Sequence, residues 1–588
     1  MSYYDSESDW SWLFHNGLDW STLIPLFYPK FPTEDGLESN EEVIQFQEEL
    51  LKTISKWSST SIKERAARLD KLGAGSVSNG KTIPGTDLEE IYKEAKELDL
   101  FSLPLPRKYG GMDLPQSPHF IGLAFLARAC VSTSTQLAFF SAIGDMLARF
   151  GSNEVKERLI PKISSGEISG SMCLTEPGCG SDVGALKTSA TPSGDGFYLL
   201  NGSKCFITNG GGGLGLVLAR IKGDPEGTEG ISMFLAEQVH EKKAGLNFTV
   251  TKNENKMGMH GSFTTEVVYE DTVATLIGKP RMGFKYMLHL MNGARIGVAF
   301  QSLGVLESAI KDAQKYAKER VQFGKPISEL PLMQRNLEDF ETELKGIRAL
   351  LVDTASFFDI YQRLELKKLE TGHLTEVEKQ LFDSANMWTR KRTPLVKYYA
   401  CEAATYLSGK VIQVFGGYGY MEEYLVERYH RDSFGPLLYE GTSQIQALMA
   451  LKDLMAFIIK KPRTYFSHLF FGGVISPLEK LPQHKTIEDF SSLGRKLKRK
   501  ITKLIYRTLR PKGMDLFKAS KWTETEKIEK LMLHAETICE GLSYLETLRV
   551  LANHASKDED RTKLYFDYKV LVLPRLTRIY HDWDLRNH

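Results

Sequence analysis

A carboxylate suited to proton abstraction stands in residues 438–446, where Glu440 comes directly before a Gly-Thr-Ser step. Gly441 allows backbone dihedrals that other residues avoid. Thr442 or Ser443 can cap the helix-compatible run that follows, and the first N–H groups of that helix would then face a ligand. Glu440 is therefore a candidate general base, although an ordinary helix cap with a solvated glutamate fits the same residues.

A Gly-rich loop gives a second candidate site. Residues 172–182 begin as a strand and then break at closely spaced glycines. The N–H groups of Gly178, Gly180 and Ser181 can cradle an anion or the edge of a flat heterocycle. The hydroxyl of Thr175 adds a donor of adjustable direction. A tight turn between strands is the alternative interpretation.

Three further stretches could contact a ligand, through an aromatic face, through a cation or through glycine backbone that a ligand can approach closely. Phe206 presents an aromatic face and Thr208 a hydroxyl, although Phe206 can equally belong to a core. Arg320 stands beside a Gly-Lys-Pro turn, and its guanidinium suits a phosphate as well as a helix C-terminus. Residues 413–419 contain glycines at which backbone can come close to a ligand.

Composition limits the classes of function. A chain of 588 residues is too long for one core, and roughly three or four domains are expected. The net charge of +1 gives no global argument for a nucleic-acid partner. The six cysteines form no CxxC pair, so neither a zinc site nor a disulfide framework is indicated, and a reducing, cytoplasmic setting fits best. The N-terminus lacks a secretory pattern, and no uninterrupted apolar run reaches the about 18 residues of a membrane span.

Hydrophobic spacing divides the chain into consecutive segments. Helical three-to-four spacing fills two long regions, which flank short strand-like runs separated by Gly, Asn and Asp. The aromatic residues of the N-terminal segment indicate an arm that packs on the main body or on a neighbouring subunit. The pattern predicts an N-terminal arm (1–40), a helical domain (41–166), a β barrel or sandwich (167–283), a four-helix bundle (284–460) and a further helical C-terminal domain (461–588).

Local signals predict several helix limits. Thr375 and Glu378 match a capping box that starts a bundle helix, and the polar residues 367–374 before it indicate a loop. The preceding helix would span about residues 330–363. In the C-terminal domain the best helix would cover residues 524–552. The prolines that break this domain are Pro462, Pro477, Pro482 and Pro511.

A basic amphipathic helix is predicted over residues 493–510. Leucines and isoleucines fall on one face, opposite a row of lysines and arginines. Such a helix can lie on an anionic bilayer. A helix that packs by its apolar face and leaves its basic face solvated is the simpler interpretation, so weak peripheral membrane contact is a hypothesis here.

Together these motifs resemble those of the acyl-CoA dehydrogenase family, in the family's order of helical domain, β domain and four-helix bundle. The resemblance covers about residues 40–460 and implies an α+β fold to which the C-terminal domain is an addition. The length and that domain look like the long bacterial branch of broad-range fatty acyl-CoA and 3-methylmercaptopropionyl-CoA dehydrogenases. The matching motifs are residues 175–182, 206–208, Arg320 with 323–325, 413–417 and 439–444.

The resemblance implies a specific reaction. Glu440 would remove the α-proton of an acyl-CoA thioester while the β-carbon delivers hydride to N5 of FAD, which gives a trans-2-enoyl-CoA. Electrons would then pass to an electron-transfer flavoprotein. A base beside apolar substrate would have its pKa raised toward the working pH. Some relatives place the base one residue before the position of Arg295, but Ala294 stands there, which leaves Glu440.

The resemblance also implies which residues bind the cofactor and the substrate; no metal is expected. Residues that would hold the flavin ring are Met172, Cys173, Leu174, Thr175, Gly180, Ser181, Phe206, Ile207 and Thr208. Residues that would reach the adenine and pyrophosphate of a FAD in the neighbouring subunit are Arg320, Gln322, Phe323, Gln413, Val414, Gly416 and Gly417. Contacts to FAD in the same subunit would come from Thr442 and Gln444, and contacts to acyl-CoA from Ser181, Asn292, Arg295, Tyr439 and Gly441. A FAD site shared between subunits implies a homodimer.

Two positions depart from the family pattern, and several alternatives stay open. Phe206 replaces the usual Trp of the flavin-shielding triplet, and Asn292 replaces an acidic residue. Medium to long straight acyl chains are expected, with 3-methylmercaptopropionyl-CoA as the alternative substrate. An oxygen-reoxidised acyl-CoA oxidase and a catalytically idle member that binds acyl-CoA and FAD are the alternative functions.

Overall fold

The computed structural model describes residues 2–460, 484–511 and 524–586. The predicted helix breaks at Pro462, Pro477 and Pro482 lie outside these residues. The chain folds into two compact units. The first comprises Met1–Glu7, Leu23–Val305 and Glu365–His373, and the second comprises Ser8–Thr22, Leu306–Leu364 and Leu374–His588.

Helices come first along the chain, as the hydrophobic spacing predicts. At the start of the helix Asn40–Trp57 the Ser39 hydroxyl accepts a hydrogen bond from the N–H of Glu42, which satisfies one of the first N–H groups of that helix. A short hairpin is formed by β1 (Gly75–Ser78) and β2 (Lys81–Pro84). The helices are α1 (Ser8–Asn16), α2 (Trp20–Phe27), α3 (Asn40–Trp57), α4 (Lys63–Leu72), α5 (Thr86–Glu97), α6 (Gln116–Phe150) and α7 (Asn153–Ser164).

Helix α6 forms the centre of the first unit. Its chain is interrupted at Cys130, whose φ of −158° and ψ of 105° are extended. The Ser134 hydroxyl, one turn beyond the break, donates to the carbonyl oxygen of Leu123 at 2.9 Å. Within the described residues α6 alone is long and apolar enough to cross a membrane, yet 89% of its most apolar window is buried inside the fold. That burial is the arrangement of a core helix.

The strands of the first unit close into a small barrel, which confirms the predicted β domain. They are β3 (Ser169–Cys173), β4 (Ser189–Pro192), β5 (Tyr198–Thr208), β6 (Gly213–Ile221), β7 (Ile231–Glu237), β8 (Thr249–Asn253) and β9 (Thr264–Ile277). The order β6-β4-β5-β9-β7 returns to β6 through the β6–β7 pairing, while β3 pairs in parallel with β6 and β8 pairs with β9. Alternate side chains such as Phe234, Val267 and Tyr269 fill the interior.

Long helices follow the barrel. The helices are α8 (Gly283–Glu319), α9 (Pro331–Thr371), α10 (Glu376–Phe415), α11 (Val426–Leu438) and α12 (Ser443–Lys460), and a hairpin of β10 (Val321–Gln322) and β11 (Lys325–Pro326) follows α8. The capping box at Thr375 and Glu378 is confirmed, since each backbone N–H bonds the other residue's side chain. The predicted loop over residues 367–374 is wrong in its first half, because α9 continues through residues with high helix propensity to Thr371.

The C-terminal helices are α13 (Lys485–Leu509), α14 (Thr525–Met532), α15 (Ala535–Lys557) and α16 (Thr562–Leu585). The single helix predicted over residues 524–552 is wrong, because the chain breaks between α14 and α15 at Leu533 and His534. No feature of the sequence explains that break. Leu497, Ile501 and Leu504 on the apolar face of α13 are buried in contact with the neighbouring helices, as the simpler interpretation of the basic helix predicts for that face.

Buried ion pairs join the C-terminal helices to the bundle within the second unit. Glu546 of α15 is 1% exposed and accepts hydrogen bonds from Lys391 and Arg392 of α10. Arg575 of α16 binds the carboxylate of Glu343 on α9 through parallel bonds of 2.6 and 2.8 Å. Removing one partner of such a pair is costly, because the other charge then stays buried without compensation.

The N-terminal segment packs on the main body, as its aromatic composition predicts. Within the second unit, Asp9 of α1 accepts a hydrogen bond from Arg348 of α9 at 2.6 Å. The same guanidinium bonds Glu307 of α8 at 2.8 Å and lies 4.8 Å from the ring centroid of Trp10. Burial, the largest effect, opposes ionisation of Asp9, but Arg348 and Arg561 outweigh it and lower the pKa of this carboxyl.

Candidate active site

A buried ion pair holds the Gly-rich loop of the first unit. Nζ of Lys204 on β5 lies 2.8 Å from Oε1 of Glu176 in the loop, and the two side chains are 0% and 7% exposed. The same ammonium donates to the carbonyl oxygen of Leu174 at 2.9 Å. Glu176 also accepts hydrogen bonds from the backbone N–H groups of Lys187 and Thr188. Burial, the largest effect, favours the neutral acid, but Lys204 and these hydrogen bonds lower the pKa of Glu176.

The loop itself is a tight turn fastened to β5. The N–H of Glu176 donates to the carbonyl oxygen of Cys179 at 2.8 Å, and the reverse bond is 3.0 Å. One residue earlier, the Thr175 carbonyl oxygen accepts from the N–H of Cys205 at 2.9 Å. The structure therefore brings together the two predicted flavin-binding segments of the first unit, residues 172–181 and 206–208.

Burial decides how each predicted flavin residue of this unit can contact a ligand. The side chains of Cys173 and Ile207 lie in the barrel core, so these residues can meet a ligand only through their main chain. The half-buried residues are Met172, Leu174, Thr175 and Thr208, and the exposed ones are Gly180, Ser181 and Phe206.

Phe206 is aimed outward by an irregularity in β5. The register with β9 shifts between Lys204 and Ile207, and Phe206 within this bulge has a φ of 59°. Such bulges re-aim a side chain out of the strand's normal alternation. As a result Phe206 is 63% exposed while its neighbours in the strand are buried. The alternative interpretation of Phe206 as a core residue is wrong.

The predicted substrate residues of α8 lie on one helical face of the first unit. Arg295 is buried, and its Nη1 donates to Oδ1 of Asn292 at 3.3 Å. One turn before Asn292, the buried imidazole of His289 has Nδ1 3.0 Å from Oε2 of Glu365. Its Nε2 lies 3.6 Å from a carboxylate oxygen of Asp145 on α6. Burial, the largest effect, and Arg149 favour neutral imidazole, but the two carboxylates outweigh them and raise the pKa of His289.

Within the second unit the structure brings the two predicted adenine-binding segments together. Arg320 directly follows α8 and lies 5.6 Å from the ring centroid of Tyr418, which follows the Gly416–Gly417 step. Tyr316 stacks on Phe415 at 4.1 Å. Gln322 and Phe323 follow Arg320 in the β10–β11 hairpin. Gln413 is exposed and Val414 is buried.

The hairpin turn after Arg320 has a geometry that matches its sequence. Phe323 and Gly324 have φ values of 53° and 81°, the two positive dihedrals of a type I′ turn. This turn leaves the Phe323 ring 92% exposed.

Glu440 stands in the short loop between α11 and α12. Its φ is 58° and that of Gly441 is 94°, so the chain reverses through two consecutive left-handed residues. Nζ of the fully buried Lys397 on α10 donates to the carbonyl oxygens of Leu437 at 2.9 Å and Gly441 at 2.8 Å. Nε2 of Gln446 donates to the carbonyl oxygens of Glu440 at 2.9 Å and Gly441 at 3.0 Å. The loop is therefore held by side chains of two helices, Lys397 on α10 and Gln446 on α12.

The remaining predicted residues of this loop are placed around Glu440. Tyr439 and Thr442 are half-buried, and Gln444 is exposed. The N–H of Gln446 donates to the Thr442 carbonyl oxygen at 3.0 Å, so α12 begins where the Thr-Ser pattern predicts.

Each unit taken by itself has positions that fit a flat, polar cofactor such as a flavin nucleotide. A Cβ added at Gly178 of the first unit, or at Gly416 or Gly417 of the second, would meet no atom within 4 Å, so their backbone is open to a ligand. Within the described residues, the buried hydroxyl of Ser443 and Oε1 of Gln446 find no hydrogen-bond partner. Buried polar groups of this kind are normally satisfied, which suits a bound polar ligand.

Profiles of a known family match most of the chain. The profile of the acyl-CoA dehydrogenase N-terminal domain matches residues 45–167, that of the middle domain residues 171–272 and that of the C-terminal domain residues 281–455. The chain belongs to the acyl-CoA dehydrogenase family. This family consists of FAD-dependent oxidoreductases, and some members associate with electron-transfer flavoprotein. The predicted fold class and reaction class are thereby confirmed.

Individual relatives agree with this membership. An acyl-CoA dehydrogenase of Bacillus subtilis is 34% identical over 370 residues, which are 62% of this chain and 89% of the relative. The solved structure of butyryl-CoA dehydrogenase from Megasphaera elsdenii matches with a TM-score of 0.59 and 29% identity, over 70% of this chain and 98% of its own. A Bacillus anthracis acyl-CoA dehydrogenase solved with FAD matches 92% of this chain and 89% of its own, with a TM-score of 0.75 and 21% identity. The last likeness shows that the shared fold extends over the C-terminal helices.

Sequence reasoning missed the side chains that hold the two loops. Lys397 stands inside an apolar run and Lys204 directly before one, while Glu176 and Gln446 lie within the motifs without an obvious role. A charged residue within or beside an apolar run was the available signal, because such a side chain must find partners inside the fold.

Proposed function

We propose that this protein dehydrogenates an acyl-CoA thioester to the trans-2-enoyl-CoA, with Glu440 as the base that removes the α-proton. The observation that carries the proposal is the Glu440 loop, in which a half-buried carboxylate is held on a left-handed backbone by hydrogen bonds from two helices. Such rigidity suits a base that must meet one particular C–H bond. Membership of the family supplies the reaction class.

Other predicted residues would bind the two ends of FAD. When bound, the flavin supplies the acceptor for the two electrons that leave the β-carbon as hydride. Residues 172–181, held by the Lys204–Glu176 pair, and the exposed ring of Phe206 would hold the flavin ring. Arg320 and the open backbone at Gly416 and Gly417 would bind the pyrophosphate and adenine of a FAD held by the neighbouring subunit.

The acyl-CoA would be bound by a separate group of residues. We assign it the buried Arg295, with Ser181, Asn292, Tyr439 and Gly441. The forming enolate requires electrostatic stabilisation in a dry site, and backbone N–H groups at the Glu440 loop are suited to that task. The length of the acyl chain is left to the assay below.

The test uses purified holoenzyme and anaerobic bleaching of the flavin by acyl-CoAs of graded length, with 3-methylmercaptopropionyl-CoA included. The wild type should bleach with one range of chain lengths. Glu440→Gln should keep FAD and acyl-CoA binding and lose nearly all bleaching, by about 10⁴-fold or more. Substantial residual bleaching in that variant would place the base elsewhere, and a protein that cannot be loaded with FAD would refute the whole proposal.

Electron-transfer flavoprotein is the proposed electron acceptor. A relative from Acetobacterium woodii, named caffeyl-CoA reductase-Etf complex subunit CarC, supports this proposal. The substrate-reduced enzyme should reoxidise slowly in air and quickly when electron-transfer flavoprotein is added. Fast reoxidation in air alone would instead identify an oxidase.

The proposed assembly is a cytoplasmic homodimer with shared FAD sites. Sedimentation should give twice the chain mass, and a monomer that retains FAD would contradict sharing. Membrane contact through residues 493–510 would be electrostatic only, since the apolar face of α13 is packed inside the unit. Co-flotation with anionic liposomes that disappears at high salt would support that contact, and no co-flotation at low salt would reject it.

A further inference from the structure

The buried ammonium of Lys397 binds the loop on both sides of Glu440. Lys397 stands in α10 among the apolar side chains of Leu395, Val396 and Tyr398 and is fully buried. An ammonium taken out of water must be solvated by protein oxygens. Two of the oxygens it binds are the carbonyl oxygens of Leu437 and Gly441, which bracket Glu440 in the sequence.

These carbonyl oxygens are favourable sites for a cation. Leu437 stands in the last turn of α11, whose terminal carbonyl groups carry the partial negative charge of the helix dipole. Four residues along α10 from Lys397, the thiol of Cys401 donates to the carbonyl oxygen of Pro436 at 3.3 Å. One face of α10 therefore caps the end of α11, and Lys397 extends that cap across the Glu440 loop to Gly441.

The loop needs such support because of its backbone. Glu440 has a φ of 58°, a left-handed conformation that residues with a side chain rarely adopt. That conformation sets the direction in which the Glu440 carboxylate leaves the main chain. The side-chain amide of Gln446 on α12 donates to the carbonyl oxygens of Glu440 and Gly441. The ammonium of Lys397 and this amide therefore hold the Glu440–Gly441 turn from two helices.

Resting on the proposed function, we propose that Lys397 is a positioning residue for the catalytic base: its ammonium fixes the carbonyl oxygens of Leu437 and Gly441 so that Glu440 faces the α-carbon of the substrate. The role is exerted through the backbone of the loop. Without the ammonium the loop would relax toward an ordinary backbone conformation and turn the carboxylate away. A displacement of about 1 Å from a reacting atom can cost roughly 100-fold in rate.

The test isolates proton removal from the redox step. The probe is an acyl-CoA in which sulfur replaces the β-methylene, so that it can lose an α-proton to the base but no β-hydride. In D2O, mass spectrometry then follows incorporation of deuterium at the α-carbon on the FAD-loaded enzyme. FAD content, thermal midpoint and the steady-state kcat and KM with a true substrate are measured beside it.

Lys397→Met is the main variant, and Lys391→Met is its matched control. Lys391 stands on the same helix and binds buried Glu546, so its loss disturbs α10 without touching the Glu440 loop. Lys397→Met should exchange the α-proton about 100-fold more slowly and lose kcat to the same extent, with KM and FAD content within about threefold of wild type. Lys391→Met should lower the thermal midpoint and leave the exchange rate per bound FAD unchanged.

Other outcomes overturn the inference. Exchange by Lys397→Met within about threefold of wild type, or an equal loss in Lys391→Met, would show that Lys397 acts on stability alone. Should Lys397→Met fail to fold, Gln446→Met is measured in its place, since it removes the opposite side of the same clamp: slowed exchange supports positioning, and unchanged exchange refutes it. A wild type without any exchange would instead refute the proposed function itself.

Discussion

The ion pair between Lys204 and Glu176 supplies the most quantitative prediction. Lys204→Met removes an ammonium that is 0% exposed and bonds both Glu176 Oε1 and the Leu174 carbonyl oxygen. Glu176 would stay buried and would keep the N–H groups of Lys187 and Thr188 as donors, but without a counter-charge. The Gly-rich loop would also lose the bond that ties Leu174 to β5.

The cost follows from the burial of the remaining charge. Breaking a buried ion pair by removing one partner costs about 3–5 kcal/mol. At roughly 2–4 °C per kcal/mol for a unit of this size, the thermal midpoint should fall on the order of 10 °C. Because the pKa of Glu176 is lowered in the fold, its ionised carboxylate contributes stability above the usual carboxyl pKa of 4.5. That contribution is lost as the pH falls through the folded pKa, so the comparison belongs at neutral pH.

The assay is differential scanning calorimetry of the holoenzyme together with measurement of retained FAD. Lys242→Met is the matched control on the same barrel, since Lys242 pairs with Asp195 where both side chains are well exposed. This control should cost less than about 1 kcal/mol. Lys204→Met combined with Glu176→Gln should recover part of the loss, because no buried charge is then left alone. A fall of less than about 2 °C in Lys204→Met, or strictly additive single losses, would refute the reasoning.

Two further buried groups of charged side chains, around His289 and around Arg348, give predictions of defined direction. The pKa of His289 is raised between Asp145 and Glu365, so the stability it contributes is full below pH 6.5 and is lost as the pH rises through its folded pKa. Relative to His289→Gln, the wild type should therefore lose its advantage in thermal midpoint as the pH increases from about 6 to 9; a constant difference would contradict this. Arg348→Met removes the guanidinium that bonds the buried Glu307 and that is one of the two guanidinium groups paired with Asp9, the other being that of Arg561, and should cost about 3–5 kcal/mol. Limited proteolysis should then cut the N-terminal segment early, and an unchanged cleavage pattern would count against its anchoring by Arg348.

Local chemistry made part of the fold predictable. The capping box at Thr375 and Glu378 needs only neighbouring residues, and it is present as predicted. The strands of the barrel follow from short strand-like runs separated by turn residues, and a turn lies beside Arg320 as its Gly-Lys-Pro sequence indicates. These features depend on contacts within a few residues, which a single sequence displays directly.

Features that depend on distant partners were not predictable. The left-handed backbone of Glu440 and the outward aim of Phe206 arise from a clamp and a bulge that involve other elements. Helix α11 was missed because its Gly435 and Pro436 favour a turn in isolation, whereas in the fold α10 caps its final carbonyl groups. The candidate residues could be named from family resemblance, but their orientation depends on these distant contacts.

Two loops proposed to act in catalysis are each held by a lysine that contacts no substrate in the proposed mechanism. Lys204 binds carbonyl and carboxylate oxygens of the Gly-rich loop, and Lys397 binds carbonyl oxygens around Glu440. A loop that exposes N–H groups to a ligand must turn some carbonyl groups inward, where each needs a donor. A buried ammonium on a rigid strand or helix can donate to more than one of these carbonyl oxygens. Its hydrogen bonds are stronger than those of a neutral amide or hydroxyl because the donor is charged. Loops that present N–H groups to a cofactor or substrate therefore need donors for their inward carbonyl groups, and a buried cation can supply these donors. In a sequence, charged residues within or beside apolar runs are candidates for this role.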